Sequence, residues 1–410
     1  MTERMSAQYE AYPYPARDPR DEARRLITGS PSHLDELNHF VFGGRLDFAA
    51  PFRVLVAGGG TGDGLVMLAQ QCADAGIPAE IAYTDLSTTA RAVAEARIKA
   101  RGLADVRFLT GSLLDLEALA PGPFDYIDCC GVLHHLEDPE AGLRALAARL
   151  APGGGIGLML YGTYGRTGVY PVQSALRRLA GGLPDPQRVE LARRLVGDLP
   201  ESNWFRHNPL LVDHRQSDAG VYDLLLHSRD RAYTVPEVHA LADAAGLAVT
   251  AFVPPARYDP ALLVGDPKLK ARLSGLDARE RAALAEELAG NLKSHALYVV
   301  RPGDAEGAVA RPDDPAVRPV LRDIDGAALA RSFKPGRGMT ADLDGIAVTL
   351  PLPPLAGAML PRIDGARDLA ALHREVAAAT GRDLAWEGFK RQFDTLYATL
   401  NGLSKMYLRR

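Results

Sequence analysis

The sequence predicts an α/β fold: a doubly wound, mostly parallel sheet with a helical insert, followed by a small α+β domain at the C-terminus. Three observations carry this. Strand and helix patterns alternate from Phe52 onward, the first strand runs directly into the glycine-rich turn GGGTGDG, and the alternation resumes after an interruption to bring the strand total to seven.

In chain order, a tyrosine- and proline-rich lead-in, MTERMSAQYEAYPYP, precedes a short helical pattern around Pro31 to Phe42. Phe52 to Ala57 reads as the first strand and Leu65 to Ala75 as the helix behind it. Ile81 to Thr84 is the second strand, Ala90 to Arg101 an alanine-rich helix, and Val106 to Leu109 the third strand. Phe124 to Cys130 is almost wholly apolar, as a strand buried on both faces should be. A helix from Pro139 to Leu150 stops at Ala151-Pro152-Gly153, and Ile156 to Tyr161 is the fifth strand. Residues 162–233 break the pattern with helices and aromatic-rich loops. A helix (Val235 to Ala245) and strands at Ala248 to Pro254 and Ala296 to Arg301 then complete the sheet. The expected domains are an N-terminal cap (1–50), a main domain (51–302) and an accessory domain (303–410), joined by AEGAVARPDDPAV, a linker by composition.

Composition excludes several classes. The 410 residues are 47% hydrophobic and 24% charged, which is ordinary for a globular chain. Lys and Arg number 47 against 51 Asp and Glu, a net charge of -4, so no nucleic-acid partner is expected. The local run Arg166, Arg177, Arg178, Arg188, Arg193, Arg194 reads as solvated helix faces. No apolar run approaches the ~18 residues of a membrane span, and the charged N-terminus lacks a signal-peptide core. Cys72, Cys129 and Cys130 form neither a metal spacing nor a disulfide framework, which fits a cytoplasmic location.

The chemistry concentrates at the ends of the strands. In VLVAGGGTGDG, Gly58, Gly60 and Gly62 let the backbone turn sharply and bring a ligand close. The dinucleotide spacing G-x-G-x-x-G fits in no register, because its third position falls on Asp63, Leu65 or Met67. Asp85 closes the second strand in AYTDLS, where a carboxylate can accept ribose hydroxyls or else cap the next helix. TGSLLDL follows the third strand and FDYIDCCGVLHHLEDP the fourth.

Read together, VLVAGGGTG, YTDLS, TGSLLDL, FDYIDCCGVLHHL and LAPGGGIGLMLYG resemble the successive motifs of class I S-adenosylmethionine (SAM)-dependent methyltransferases. The resemblance implies a seven-stranded Rossmann-like sheet, SAM as methyl donor, and methyl transfer to an N, O or S nucleophile. It places Gly58, Gly60 and Gly62 at the methionine part, Asp85 and Leu86 at the ribose, Ser112 and Leu113 at the adenine, and Cys130 near the sulfonium. It also implies an acidic residue two positions before the first glycine, where this chain has Val56, and a second beside the adenine, where it has Ser112. That departure motivates a rival reading, a non-catalytic SAM sensor or scaffold.

The lead-in YEAYPYP resembles a segment of some bacterial members, among them relatives of protein lysine methyltransferases with an extra domain. Tyr9 and Tyr14 could then close over the cofactor, Tyr9 as a binding and Tyr14 as a catalytic residue, or simply pack on the sheet edge. His134 and His135 are candidate bases, although such a pair also packs or caps the following helix. His207, Asp213, His214 and Asp218 match no metal spacing, so no metal is expected. In the last hundred residues, Ile363-Asp364-Gly365 before a helix resembles winged-helix-like, leader-peptide-binding domains, while the stripe Leu369, Leu372, Val376 reads as core. The expected acceptor is a small molecule, with a protein or peptide side chain as the alternative; a homodimer is allowed for.

Overall fold

A computed structural model describes residues 8–333, 337–381 and 383–410. Its main sheet has seven strands in the order β3-β2-β1-β4-β5-β7-β6. They are β1 (Phe52–Ala57), β2 (Ala79–Asp85), β3 (Val106–Thr110), β4 (Phe124–Cys130), β5 (Leu150–Tyr161), β6 (Ala248–Val253) and β7 (Ser294–Val300). The pairs β1–β2, β2–β3, β1–β4 and β4–β5 are parallel. The order reverses between β1 and β4, and a crevice at such a switch point is where open α/β sheets take ligands.

All seven expected strands are present; β1 and β4 keep their expected bounds, and the other five have shifted ends. The largest shift is at β5, which begins at Leu150 rather than Ile156. Leu150 already pairs with Phe124, and the register slips between Phe124 and Tyr126. An irregularity of that kind lets Pro152-Gly153 sit inside a strand instead of terminating it. The preceding helix accordingly ends early, at Pro139–Ala147.

The chain forms two compact units: one runs up to His33 and includes Phe48–Leu247 and Gly290–Ala296, and the other comprises Leu34–Asp47, Ala248–Ala289 and Leu297–Arg410. In the first, the insert folds as helices Val169–Leu179 and Asp185–Asp198 with shorter pieces after them. Val172, Leu176, Val189, Phe205, Leu211 and Leu225 give these a core of their own. The basic run is mostly paired: Arg188 with Asp185, Arg193 with Asp218, Arg194 with Glu190. Arg166 departs from the solvated expectation. It is buried, ion-paired to the buried Asp230 at 2.8 Å, and its guanidinium lies 3.7 Å from the centre of the Tyr161 ring.

In the second unit, helices Leu369–Thr380 and Trp386–Gly402 bury Leu369, Leu372 and Val376 against Phe389, Phe393 and Leu396, which makes the stripe core. Two antiparallel ribbons accompany them, β8 (Arg318–Leu321) with β11 (Met406–Arg409), and β9 (Met339–Asp342) with β10 (Ala347–Leu350). The linker expectation is corrected. Ala308 and Ala310 are buried, Gly43 N–H donates to Ala308 O at 2.7 Å, and Ala310 N–H donates to His39 O at 2.8 Å. Small apolar residues made this stretch look like a tether, yet the same residues are what allow it to lie flat in a packed core. Among the described residues, no helix is long and apolar enough to cross a membrane.

Candidate active site

At the carboxyl ends of β1, β2 and β4 lies a cavity of about 370 Å³. The glycine turn forms one side. Gly58 and Gly60 both have positive φ, at 68° and 51°. A Cβ on Gly58 would come within 2.4 Å of Val132, and one on Gly60 within 2.7 Å of the Tyr14 carbonyl, so only glycine fits either place. Tyr83 donates from its hydroxyl to Gly60 O at 2.6 Å and pins the turn from β2. Gly62, by contrast, lies outside the cavity; it starts the helix Asp63–Ala75 and packs close to Ala94.

Asp85 ends β2 on the cavity wall, and its two oxygens accept from Gly60 N–H at 2.8 Å and Ser87 N–H at 2.9 Å. Each carboxylate oxygen keeps a second lone pair for a ligand. Burial raises its pKa and the backbone donors oppose the rise. The helix-cap role falls to Ser87, whose hydroxyl accepts from Ala90 N–H. Leu86, Leu113 and Cys130 line the cavity. Ser112 does not; its hydroxyl accepts from Leu114 N–H and starts a short 3-10 turn.

The tyrosine segment reaches the same cavity. Tyr9 and Tyr14 both line it, and the chain between them is fastened at several points. Thr61 Oγ1 donates to Pro15 O at 2.6 Å, and Ser87 Oγ donates to Tyr9 O at 3.1 Å. The Glu10 carboxylate accepts from Thr88 and Thr89 N–H at the start of the next helix, while Tyr12 stacks on Tyr222. Just beyond, Arg17 pairs with Asp63, which Arg97 also contacts. Burial alone would raise the Asp63 pKa, but the two guanidinium groups bring it below the ordinary carboxylate value.

Sequence reasoning missed part of the far wall. Tyr161 and Asp223 line the cavity, and the Tyr161 hydroxyl donates to Asp223 Oδ2 at 2.8 Å. The signal was faint, since Asp223 sits inside the apolar run VYDLLL of an insert with no motif. His135 lines the same wall, with Nδ1 donating to Arg229 O at 2.9 Å. His134 is buried behind it, stacked 3.8 Å from the Tyr161 ring, and is not part of the lining. Burial pushes the pKa of His135 down to about 4 and that of His227 to about 3, so both are neutral at pH 7.

His207, Asp213, His214 and Asp218 do not gather into a cluster; His207 and Asp218 are exposed, and Asp218 is spent on Arg193. Among the described residues, ligand atoms of His135, Asp223 and His227 do lie within 4.8 Å of one another. His227 Nδ1, however, accepts from Arg229 N–H at 3.0 Å, which puts its one proton on Nε2, 3.0 Å from the Tyr9 hydroxyl. A neutral imidazole so engaged keeps no lone pair for a cation. The trio is a hydrogen-bonded wall.

The cavity's donor set suits a nucleoside joined to an amino acid. It offers a carboxylate for hydroxyls, the apolar Leu86, Leu113 and Val132 for a base, and a glycine turn for close approach. Comparisons with known proteins agree. A family model described as a methyltransferase domain matches residues 55–156. An uncharacterized Synechococcus protein is 33% identical over 300 residues, covering 70% of this chain and 69% of that one. A ubiquinone biosynthesis O-methyltransferase from Albidiferax ferrireducens is 28% identical over 214 residues, 49% of this chain and 79% of its own. In fold, PKMT2 from Rickettsia typhi is similar with a TM-score of 0.61 at 17% identity, over 99% of this chain and 76% of that one. With the domain matched through its glycine turn and the seven strands in this order, the chain carries a class I SAM-dependent methyltransferase domain, and SAM is the methyl donor it binds.

Proposed function

We propose that the acceptor is an amine and that Asp223 receives it. The observation that carries this reading is a buried carboxylate on the cavity wall, oriented by Tyr161 and flanked by imidazoles that stay neutral. Burial raises the pKa of Asp223, and the hydrogen bond from the Tyr161 hydroxyl opposes the rise. A carboxylate so placed attracts an ammonium group and then takes its proton, freeing the nitrogen lone pair; general-base assistance of this kind is worth about 10²- to 10⁴-fold. Bound SAM supplies an electrophilic methyl on a sulfonium centre. Tyr9 lines the same cavity as Asp85, which faces the cofactor end, and Asp223, which faces the acceptor end. Tyr9, Tyr14 and Tyr161 together exclude water and hold the two reactants in line, a contribution of about 7 to 11 kcal/mol in well-oriented systems.

In this reading Gly58 and Gly60 admit the methionine part, Asp85 accepts from the ribose, and Leu86 and Leu113 flank the adenine. Asp85→Ala should weaken SAM binding at least about tenfold, through the lost charge-assisted bonds and a loosened Gly60. Calorimetry giving wild-type affinity for a folded variant would remove Asp85 from the site.

The acceptor itself is tested with isotopically methyl-labelled SAM and a cell extract fractionated by size. Label on nitrogen of a small amine is the expected result, and Asp223→Asn should lower kcat by about 10²-fold or more while leaving SAM affinity intact. Label on oxygen or sulfur would reject the amine reading. A second reading, a lysine-type side chain of a protein, is supported by the whole-length likeness in fold to PKMT2, the C-terminal unit included. Label in the protein fraction would select it.

A further inference from the structure

Val56 stands where the resemblance implies an acidic residue, and the structure offers a carboxylate one strand away. Strands β1 and β4 are parallel, with Val54 opposite Tyr126, Leu55 opposite Ile127 and Val56 opposite Asp128. Partners in register project to the same face of a sheet, ~4.8 Å apart. Val56 and Asp128 accordingly line the same cavity.

Asp128 is built in as a functional group is. It is 3% exposed. Ser32 Oγ and Cys130 Sγ both donate to Oδ2, and among the described residues Oδ1 has no protein partner. Ser32 holds its place at a φ of 85°, a conformation that a non-glycine residue adopts only under constraint. Across the cleft, a Cβ at Gly64 would stand 3.3 Å from both carboxylate oxygens, so the glycine keeps their surroundings open. Two neutral donors do not compensate a buried charge, and burial pushes the Asp128 pKa up to about 6. No cationic side chain bonds to it among the described residues; the cation has to come with the ligand.

We propose that Asp128 replaces the missing β1 carboxylate and binds the α-ammonium group of SAM. The proposal rests on the cavity being the SAM site, and the test separates the two. S-adenosylhomocysteine carries the amino-acid part, whereas methylthioadenosine lacks it. By calorimetry, Asp128→Asn should bind S-adenosylhomocysteine about tenfold or more weakly than wild type and methylthioadenosine equally well. Returning the carboxylate to β1 in Val56→Asp/Asp128→Asn should restore a large part of the lost affinity. If the amide variant does not fold, Asp128→Ser, smaller and still hydrogen-bonding, carries the same comparison. Wild-type affinity for S-adenosylhomocysteine in a folded variant would overturn the proposal, as would an equal loss for both ligands. A wild-type protein that binds neither ligand would overturn the cofactor reading of the cavity, and this proposal with it.

Discussion

A chain ending at Pro302 is expected to lose its fold in the unit that holds Leu34–Asp47, rather than to survive as a trimmed enzyme. Glu36 is fully buried and accepts from Tyr298 Oη at 2.8 Å, Arg322 Nη1 at 2.6 Å and Tyr407 Oη at 2.6 Å. The cut removes two of these three donors, the Arg322 guanidinium among them. Breaking a buried ion pair by deleting one partner costs about 3 to 5 kcal/mol, against a total stability of about 5 to 15 kcal/mol for a typical protein. His39, also fully buried, would lose Tyr397, Leu408 N–H and Asn401 together. The expected observation is aggregation or a much lowered Tm for the truncated chain. Arg322→Ala alone should lower stability by about 3 to 5 kcal/mol. A monomeric truncated protein melting where wild type melts would reject the argument.

That dependence was not legible in the sequence, for a physical reason. A composition such as AEGAVARPDDPAV describes a local tendency, whereas the role of Ala308 and Ala310 depends on His39 and Gly43, which lie far away in the chain. The main sheet was legible because each strand declares itself by its own apolar run and each turn by its own glycines. The glycine-turn side of the candidate site was legible for the same reason, since Gly58, Gly60, Asp85 and Leu86, which line one cavity, follow directly on strand ends. Asp128 and Asp223 were not. The first is one polar residue in the buried strand FDYIDCC, and its meaning appears only when β1 and β4 are set in register. The second sits on an insert whose path back to the sheet no local pattern specifies. Ser112 shows the converse: its motif position is legible, while its hydroxyl is engaged by its own turn.

Deleting residues 1–16 is expected to cut turnover about 10²-fold or more, a loss of the size produced by misplacing reactants by an ångström, while moving the Tm by only a few degrees. The stabilising contacts of the segment's described residues, 8–16, are individually modest, the hydrogen bonds of Thr61 to Pro15 O and of Ser87 to Tyr9 O included. Glu10 contributes a helix cap, worth about 1 kcal/mol, and Tyr12 a ring stack on Tyr222. For a domain of this size 1 kcal/mol corresponds to about 2 to 4 °C. The anchors nearer the core lie beyond the cut: Arg17 with Asp63, and the buried pair of Glu22 with Arg97. Tyr9 and Tyr14, in contrast, supply part of the cavity wall itself, and Tyr9 is also the hydroxyl partner of His227. Without them the cleft is open to water exactly where the proposed methyl and nucleophile meet, and a water-filled site weakens every electrostatic contact inside it. Tyr9→Phe and Tyr14→Phe, which keep the rings and delete the hydroxyls, should fall between wild type and the deletion. The measurement is kcat with Tm recorded on the same samples. A deletion variant that unfolds outright would assign the segment to packing, and one that retains full turnover would show that the cavity closes without it.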